Sequence, residues 1–255
     1  MIQTHDEAGV RRLEMERPPS NALSEDLLRG LIEEVRKAQA DSSVRCLVLG
    51  SALPKYFSSG LDLDELLGLP PERRSELFRS LVRAHRELAA FPRPTIAVIG
   101  GAALAGGWIL AMACDFRWMS RETGRVALGE VRLGLSPTTA VIRRLCAIAK
   151  DQTLAKDLVL HGRTLKAEPA LSGGFVDRLA AAGELREEAL REARNLAKLP
   201  PKAYGAIKRG LNAASGLDAD APWESTLAEF EELFAGAEAQ EGLAAMKEKR
   251  KPRWE

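Results

Sequence analysis

The chain reads as an α/β fold that ends in an all-helical region, and three observations lead there. Short apolar runs of the kind buried strands carry recur through residues 1–183, most clearly at 46–49 (CLVL) and 95–99 (TIAVI). Two such runs lead into clusters of small residues, 57–60 (FSSG) and 100–107 (GGAALAGG), and each cluster opens onto a helix-like stretch. From Glu184 onward only helical periodicity remains.

Taken in order, residues 9–15 (GVRRLEM) form a poorly alternating strand that Pro18 and Pro19 close. Ser24 is a good N-cap, because its side-chain oxygen can take a free amide of the first turn. Behind it Leu27, Leu28, Leu31, Ile32, Val35 and Ala38 fall on one helical face. The run 46–49 before Gly50 suits a strand buried on both faces. After the first small-residue cluster, Pro70 and Pro71 start a helix whose apolar face holds Leu77, Phe78, Leu81, Val82, His85 and Leu88. His85 therefore reads as a packed core or interface histidine.

Next come the strand 95–99, a Gly-rich loop and a helix over 106–114. Residues 116–119 and 125–128 read as strands. Pro137 with Thr138 and Thr139 opens a helix over 140–150, and Asp151 caps another in which Leu154, Leu158 and Val159 point inward. In the tail, Pro200 and Pro201 mark one break, and Gly210 with Ser215 and Gly216 a second. The last helices carry Trp223, Leu227, Phe230, Leu233, Phe234, Leu243 and Met246.

Composition narrows the function classes. Hydrophobic residues make up 45% and charged residues 29% of 255, which is ordinary for a globular chain. A formal net charge of +1 points to neither nucleic acid nor an anionic membrane, and no helix carries a dense row of lysines. Cys46, Cys114 and Cys146 lie far apart, as do His5, His85 and His161. Metal-ligand spacing is lacking, and buried reduced thiols are expected. The N-terminus shows no signal-peptide pattern, and no apolar run has the length of a membrane span, so a cytoplasmic location is expected. Ser58 and Ser59 do not sit in a G-x-S-x-G elbow, and residues 100–107 miss the G-x-G-x-x-G spacing of a dinucleotide site.

Two bare turns, each at a strand-to-helix switch, can bring two free N–H groups together, which is what a developing oxyanion needs. Each alone reads equally as a tight, closely packed turn. Together the segments FSSGLDLDEL and GGAALAGGWILAMACDFR resemble the two oxyanion-loop motifs of the crotonase (enoyl-CoA hydratase/isomerase) superfamily. The similarity continues through LGEVRLGLSP and AEPALSGGFVDRL to EGLAAMKEKRKPRW, and so covers nearly the whole chain.

The resemblance implies a crotonase-type spiral of β-β-α turns over residues 1–183, holding the coenzyme A thioester and the chemistry. A helical oligomerisation region over 184–255 would build a homotrimer or a dimer of trimers, and its helices have more apolar faces than one small domain covers. It makes the backbone amides of Leu61 and Gly106 the oxyanion donors and Glu130 the proton shuttle. Around them Ala22, Ser59, Gly60, Asp62, Leu63, Gly107 and Ile109 line the acyl-CoA site. No cofactor or metal is needed, since coenzyme A belongs to the substrate. On the residues alone, Glu130 could instead be a surface glutamate paired with Arg125 or Arg132.

The sequence departs from the family pattern in two places. Where hydratases of the family carry a second glutamate, three residues after the oxyanion glycine, this chain has Ile109. That pattern resembles Δ3,Δ2-enoyl-CoA isomerases of fatty acid metabolism and implies double-bond migration. Hydratase, hydrolase and decarboxylase chemistry on the same fold are the alternatives. The lysine often found two residues after the first-motif aspartate is also missing, because Asp62 is followed by Leu63 and Asp64. Basic residues at 247–251 are the expected candidates for coenzyme A phosphates.

Overall fold

The computed structural model describes residues 1–215 and 223–254. Its elements begin with β1 (Ile2–Glu7), β2 (Val10–Met15), α1 (Glu25–Ala40), β3 (Cys46–Ser51), β4 (Tyr56–Ser58), α2 (Leu63–Gly68) and α3 (Pro71–Ala90). There follow β5 (Thr95–Ile99), β6 (Ala102–Leu104), α4 (Gly106–Ala113), β7 (Phe116–Ser120), β8 (Arg125–Ala127) and a 3₁₀ turn over Glu130–Leu133. The remainder is α5 (Thr139–Ile148), α6 (Gln152–Leu160), β9 (Thr164–Lys166), α7 (Ala167–Ser172), β10 (Arg178–Ala180), α8 (Leu185–Leu196), α9 (Pro201–Ala214), α10 (Trp223–Ala235) and α11 (Ala237–Lys247).

A repeated step builds the spiral. The strand pairs β3/β4, β5/β6 and β7/β8 each place their first strand in a six-stranded sheet, β1-β2-β3-β5-β7-β10, and their second in a four-stranded sheet, β4-β6-β8-β9. Within each sheet the successive turns pair in parallel, β3 with β5 with β7, and β4 with β6 with β8. The core strands lack polar alternation because helices or the other sheet cover them, so Cys46 to Leu49 are all at most 1% exposed. This is the crotonase fold.

Successive turns touch backbone to backbone. A Cβ on Gly101 would lie 2.3 Å from the Lys55 carbonyl carbon, and one on Gly107 would lie 2.6 Å from the Ser58 carbonyl oxygen. No side chain fits at either place, which is why the second loop is so rich in glycine. β6 runs inside that loop, between Gly101 and Gly106, where the sequence suggests only a turn. Its three residues are too short to show alternation.

The helical elements follow the sequence closely. Ser24 caps α1 by accepting from the Leu27 amide, and the six apolar residues of the expected stripe are all buried. His85 is buried in α3, as expected of a core histidine. Two expectations fail. Gly210 does not break the tail, because α9 runs through it and ends only at Ser215. Cys146 is exposed, unlike Cys46 and Cys114. Strand β1 and the elements β9, α7 and β10 lie in stretches whose sequence shows no periodicity. The Gly216 part of the second break and the Trp223 side chain lie outside the described residues.

The tail is tied to the spiral. Ala189 and Ala193 of α8 pack on Val10, Cys46, Val48 and Ile96 of the larger sheet. Lys208 and Tyr204 of α9 both reach Asp115 at the head of β7, at 3.0 and 2.9 Å. Phe230 of α10 stacks on Phe78 of α3 with ring centroids 3.7 Å apart. α11 crosses the 3₁₀ turn so closely that a Cβ on Gly242 would lie 2.5 Å from the Leu133 carbonyl. Among the described residues no helix is long and apolar enough to cross a membrane.

The Gly101 contact predicts a stability effect. Gly101→Ala should destabilise the chain by about 1–3 kcal/mol, since the Lys55 backbone must move to admit a methyl group. Urea unfolding would show a lower midpoint with an unchanged slope; an unshifted midpoint would mean that the two turns are not in rigid contact.

Candidate active site

The site forms where β4 and β6 hand over to helices. Gly60 adopts φ +93°, a conformation that glycine takes without strain. It lies against the second loop, where a Cβ would fall 3.1 Å from the Leu104 oxygen and 3.2 Å from the Gly106 nitrogen. A Cβ on Gly106 would in turn lie 3.5 Å from the Leu61 nitrogen. The amides of Leu61 and Gly106 are thus neighbours, and neither has a protein acceptor among the described residues. Gly106 is the first residue of α4, so its free N–H sits at the positive end of the helix dipole. Ala105 before it is held at φ 45°, ψ −121°, an unfavourable conformation for a residue with a Cβ. This turn brings the Gly106 nitrogen close to Gly60 and Leu61.

A third loop, residues 17–23, clasps the first. Leu23 N–H donates to the Gly60 oxygen at 2.8 Å, and Asp62 N–H donates to the Leu23 oxygen at 3.1 Å, so Leu61 is bracketed on both sides. Asn21 donates to the Phe57 carbonyl, and the Ser20 and Ser59 hydroxyls meet at 2.9 Å. Asp62 caps α2 through the Glu65 amide and also accepts from Arg17 at 2.5 Å. Arg17 further donates to the Ala22 carbonyl at 3.1 Å. Ala22, Ser59, Gly60 and Asp62 therefore share one loop cluster with Leu61. Leu63 starts α2 and packs against the core.

Glu130 arrives from the neighbouring strand. β8 pairs with β6, and the Ala105 amide donates to the Ala127 carbonyl at 2.9 Å. The chain thus leaves β8 at the edge where β6 turns into α4, and Glu130 follows three residues later on the 3₁₀ turn. Its Oε2 is inaccessible to water and has no hydrogen-bond partner. Burial, partly offset by a hydrogen bond from its own amide, pushes the carboxyl up to about 7. The surface ion pair that the sequence leaves open does not form. Arg132 donates to the His161 carbonyl and Arg125 to the Glu122 and Gly124 carbonyls. A lone carboxyl titrating near neutrality can both take and return a proton.

Ile109 lies one turn into α4, 5% exposed, and its carbonyl meets His85 Nδ1 at 3.0 Å. Burial holds His85 down at about 4, and so neutral. Gly107 does not face open space; it is the contact with Ser58. Of the basic C-terminal stretch, Arg250 is engaged by Glu241 and Glu248.

Known proteins carry the same frame. The enoyl-CoA hydratase/isomerase family model matches residues 5–255. This chain belongs to that family. The mitochondrial methylglutaconyl-CoA hydratase of Mus musculus is 31% identical over 270 residues, spanning 99% of this chain and 85% of its own length. The crystal structure of an enoyl-CoA hydratase/isomerase from Pseudoalteromonas atlantica T6c superposes with a TM-score of 0.87 at 28% identity, covering 100% of this chain and 99% of that one. Human mitochondrial Δ3-Δ2-enoyl-CoA isomerase shares the fold, with a TM-score of 0.91 at 24% identity and 97% of both chains covered. The family match over nearly the whole chain makes this protein an enzyme of the crotonase superfamily.

One strained residue beside Ile109 gives no sequence signal. Thr138 looks like a helix cap, yet its side chain makes no cap bond, and its backbone is held at φ 74°, ψ 155°. Buried threonine in a conformation suited to glycine is visible only in three dimensions.

The Glu130 environment predicts how stability depends on pH. The folded state holds the Glu130 proton up to about 7, while the unfolded chain releases it near 4.5. Stability from this group is therefore full below 4.5 and declines as pH rises towards 7, by up to about 3 kcal/mol. Glu130→Gln should gain on the native protein across that window; denaturation curves at pH 5 and 8 with a constant difference between the two proteins would contradict the burial.

Proposed function

We propose that this family member is an isomerase that shifts the double bond of a 3-enoyl-CoA thioester to the 2-position. Ile109 carries this reading. Adding water across a double bond takes one group to orient the water and another to move the proton, and Ile109 offers a buried hydrocarbon where the second acid would stand. A single carboxyl at about 7 suits proton return instead.

The thioester oxygen sits between the Leu61 and Gly106 amides. Glu130 removes a proton from carbon 2, and the electron pair moves through the carbonyl to give a dienolate whose negative oxygen the two amides hold. The protonated Glu130 then delivers the same proton to carbon 4. Substrate and product have one composition, and the steps use no cofactor. Ala22, Ser59, Gly60, Asp62, Leu63 and Ile109 form the walls, and Gly107 only lets Ser58 approach α4. A second reading, hydration, is favoured by the name of the mouse relative.

An assay of the purified protein decides between the two. With a 3-enoyl-CoA, absorbance of the conjugated 2-enoyl thioester should grow. With a 2-enoyl-CoA, its loss by hydration should be slow. Because Glu130 must be ionised to act, kcat/KM should rise with pH through about 7. Glu130→Gln should lose roughly a hundredfold to ten-thousandfold in turnover, and Ile109→Glu should raise hydration above the native level. Rapid hydration by the native protein would overturn the isomerase reading.

We also propose that residues 184–255 assemble the enzyme as a trimer or a dimer of trimers. On α9 Ile207 is 65% and Leu211 66% exposed, an apolar strip that a second copy would cover. Sedimentation as a monomer at micromolar concentration would remove this proposal.

A further inference from the structure

The first small-residue loop leaves a single amide free, and its neighbours account for the other three between Ser59 and Asp62. Ser59 N–H donates to the Ser20 carbonyl at 3.0 Å, and Asp62 N–H to the Leu23 carbonyl at 3.1 Å. Gly60 N–H donates to the Ser58 hydroxyl at 3.1 Å. Leu61 N–H alone has no protein acceptor among the described residues. The Gly60 carbonyl and the Asp62 amide both face Leu23, so the amide between them turns the other way, as alternate groups of an extended chain do.

Ser58, the last residue of β4, is the hub of this arrangement. It is 0% exposed, and its hydroxyl accepts from Gly60 while donating to the Asn21 carbonyl at 2.7 Å. Asn21 is a firm anchor. Its side chain donates to the Met15 carbonyl, the Ser51 hydroxyl and the Phe57 carbonyl at 3.2, 2.8 and 3.1 Å, and accepts from the Arg17 amide at 2.7 Å. On its other side Ser58 presses on α4, where a Cβ on Gly107 would lie 2.7 Å from the Ser58 Cβ. Ser58 thus touches the residue next to each free amide: Gly60, before Leu61, and Gly107, after Gly106. Without the hydroxyl, the Gly60 amide and the Asn21 carbonyl would both lose a buried partner. Glycine has the freest backbone of any residue, so an untied Gly60 would turn and carry the Leu61 N–H with it.

We propose that the Ser58 hydroxyl is a positioning group for this reaction: it fixes the Gly60 amide, and through it the direction of the Leu61 N–H relative to that of Gly106. The inference rests on these two amides as the thioester seat, but not on whether isomerisation or hydration follows. The hydroxyl acts through the backbone and does not touch the substrate. A misdirected donor costs little while the thioester carbonyl is neutral, and its cost appears as negative charge builds on that oxygen. Ser58 therefore governs turnover rather than affinity for the acyl-CoA.

Vibrational difference spectroscopy of bound butyryl-CoA and octanoyl-CoA, isotope-labelled at the thioester carbonyl carbon, reads the polarisation directly. Hydrogen bonds to the oxygen weaken the C=O bond, so in the native protein its stretching band should fall below its frequency in water. Ser58→Ala should return the band part of the way. The calorimetric Kd of the same saturated thioesters should change by less than roughly twofold. Turnover should drop roughly tenfold, short of the hundredfold to thousandfold that outright loss of a donor costs. Ser58→Cys keeps a weak donor and acceptor in place and should give an intermediate band. Should the alanine variant fold poorly, the cysteine variant decides, and a band at the native position would then overturn the proposal. An unmoved band in folded Ser58→Ala, or a loss of affinity as large as the loss of turnover, would also overturn it and leave the thioester seat standing. No lowering of the band in the native protein, or failure of both thioesters to bind, would remove the seat and this proposal with it.

Discussion

Backbone touching backbone is the constraint on which the site depends. Gly60, Gly101, Gly106 and Gly107 all lie where two successive turns of the spiral meet, and a methyl group at Gly101 or Gly107 would overlap main-chain atoms. Because β4 and β6 are paired in parallel just before this contact, the two strands reach it side by side, with one register shift between Tyr56 and Ser58. Hydrogen bonding then leaves one amide on each side without a partner. Free amides in a tight turn are costly unless something comes to accept from them. Two such amides at a helix N-terminus suit an oxygen that gains negative charge, the role proposed for them here. The larger sheet, the cap at Asp62 and the clasp from residues 17–23 all fix this one approach.

A second close approach fixes the acid. The turn carrying Glu130 is pressed between the strand it leaves and α11, with Gly134 and Gly242 both reduced to a hydrogen where the backbones cross. This packing helps to shield one oxygen of the half-buried Glu130 carboxyl, which has no partner. Its neighbouring arginines are drawn to carbonyl oxygens elsewhere, and the helix above it offers main chain rather than cations. The C-terminal helices thus hold the turn that carries Glu130 within a single chain. α8 and α9 likewise grip the sheet and Asp115, so no break in packing falls at residue 184.

Much of this was legible in the residues and some was not. The helices with continuous apolar stripes, α1 and α3, stand where their periodicity places them, since burying such a stripe leaves few alternatives. Buried runs such as residues 46–49 and 95–99 declare themselves as strands for the same reason. The three-residue strands β4, β6, β8, β9 and β10 are set by pairing with distant partners, so their own residues say little. Gly210 shows the opposite error: a residue that weakens a free helix is tolerated once Tyr204 and Lys208 anchor that helix to Asp115. Within the site, the amide of Leu61 can be named only by resemblance, because its side chain takes no part. Glu130 too is named by resemblance, because on the residues alone it could be a surface glutamate. Thr138 could not be named at all, because nothing in SPTT distinguishes a cap from a strained, orphaned hydroxyl.

Ile109 joins the chemistry to the packing around it. An acid at this position would serve water, and it would also bring a charge into the wall that Phe78, Val82 and Val141 complete. The hydrocarbon does the reverse on both counts. His85, buried and held neutral, meets the Ile109 carbonyl at 3.0 Å, so the only titratable group among the described residues of this wall brings no charge to it. On the proposed isomerase reading the choice of reaction follows from this one side chain, because α4 presents hydrocarbon where water would need a second acid.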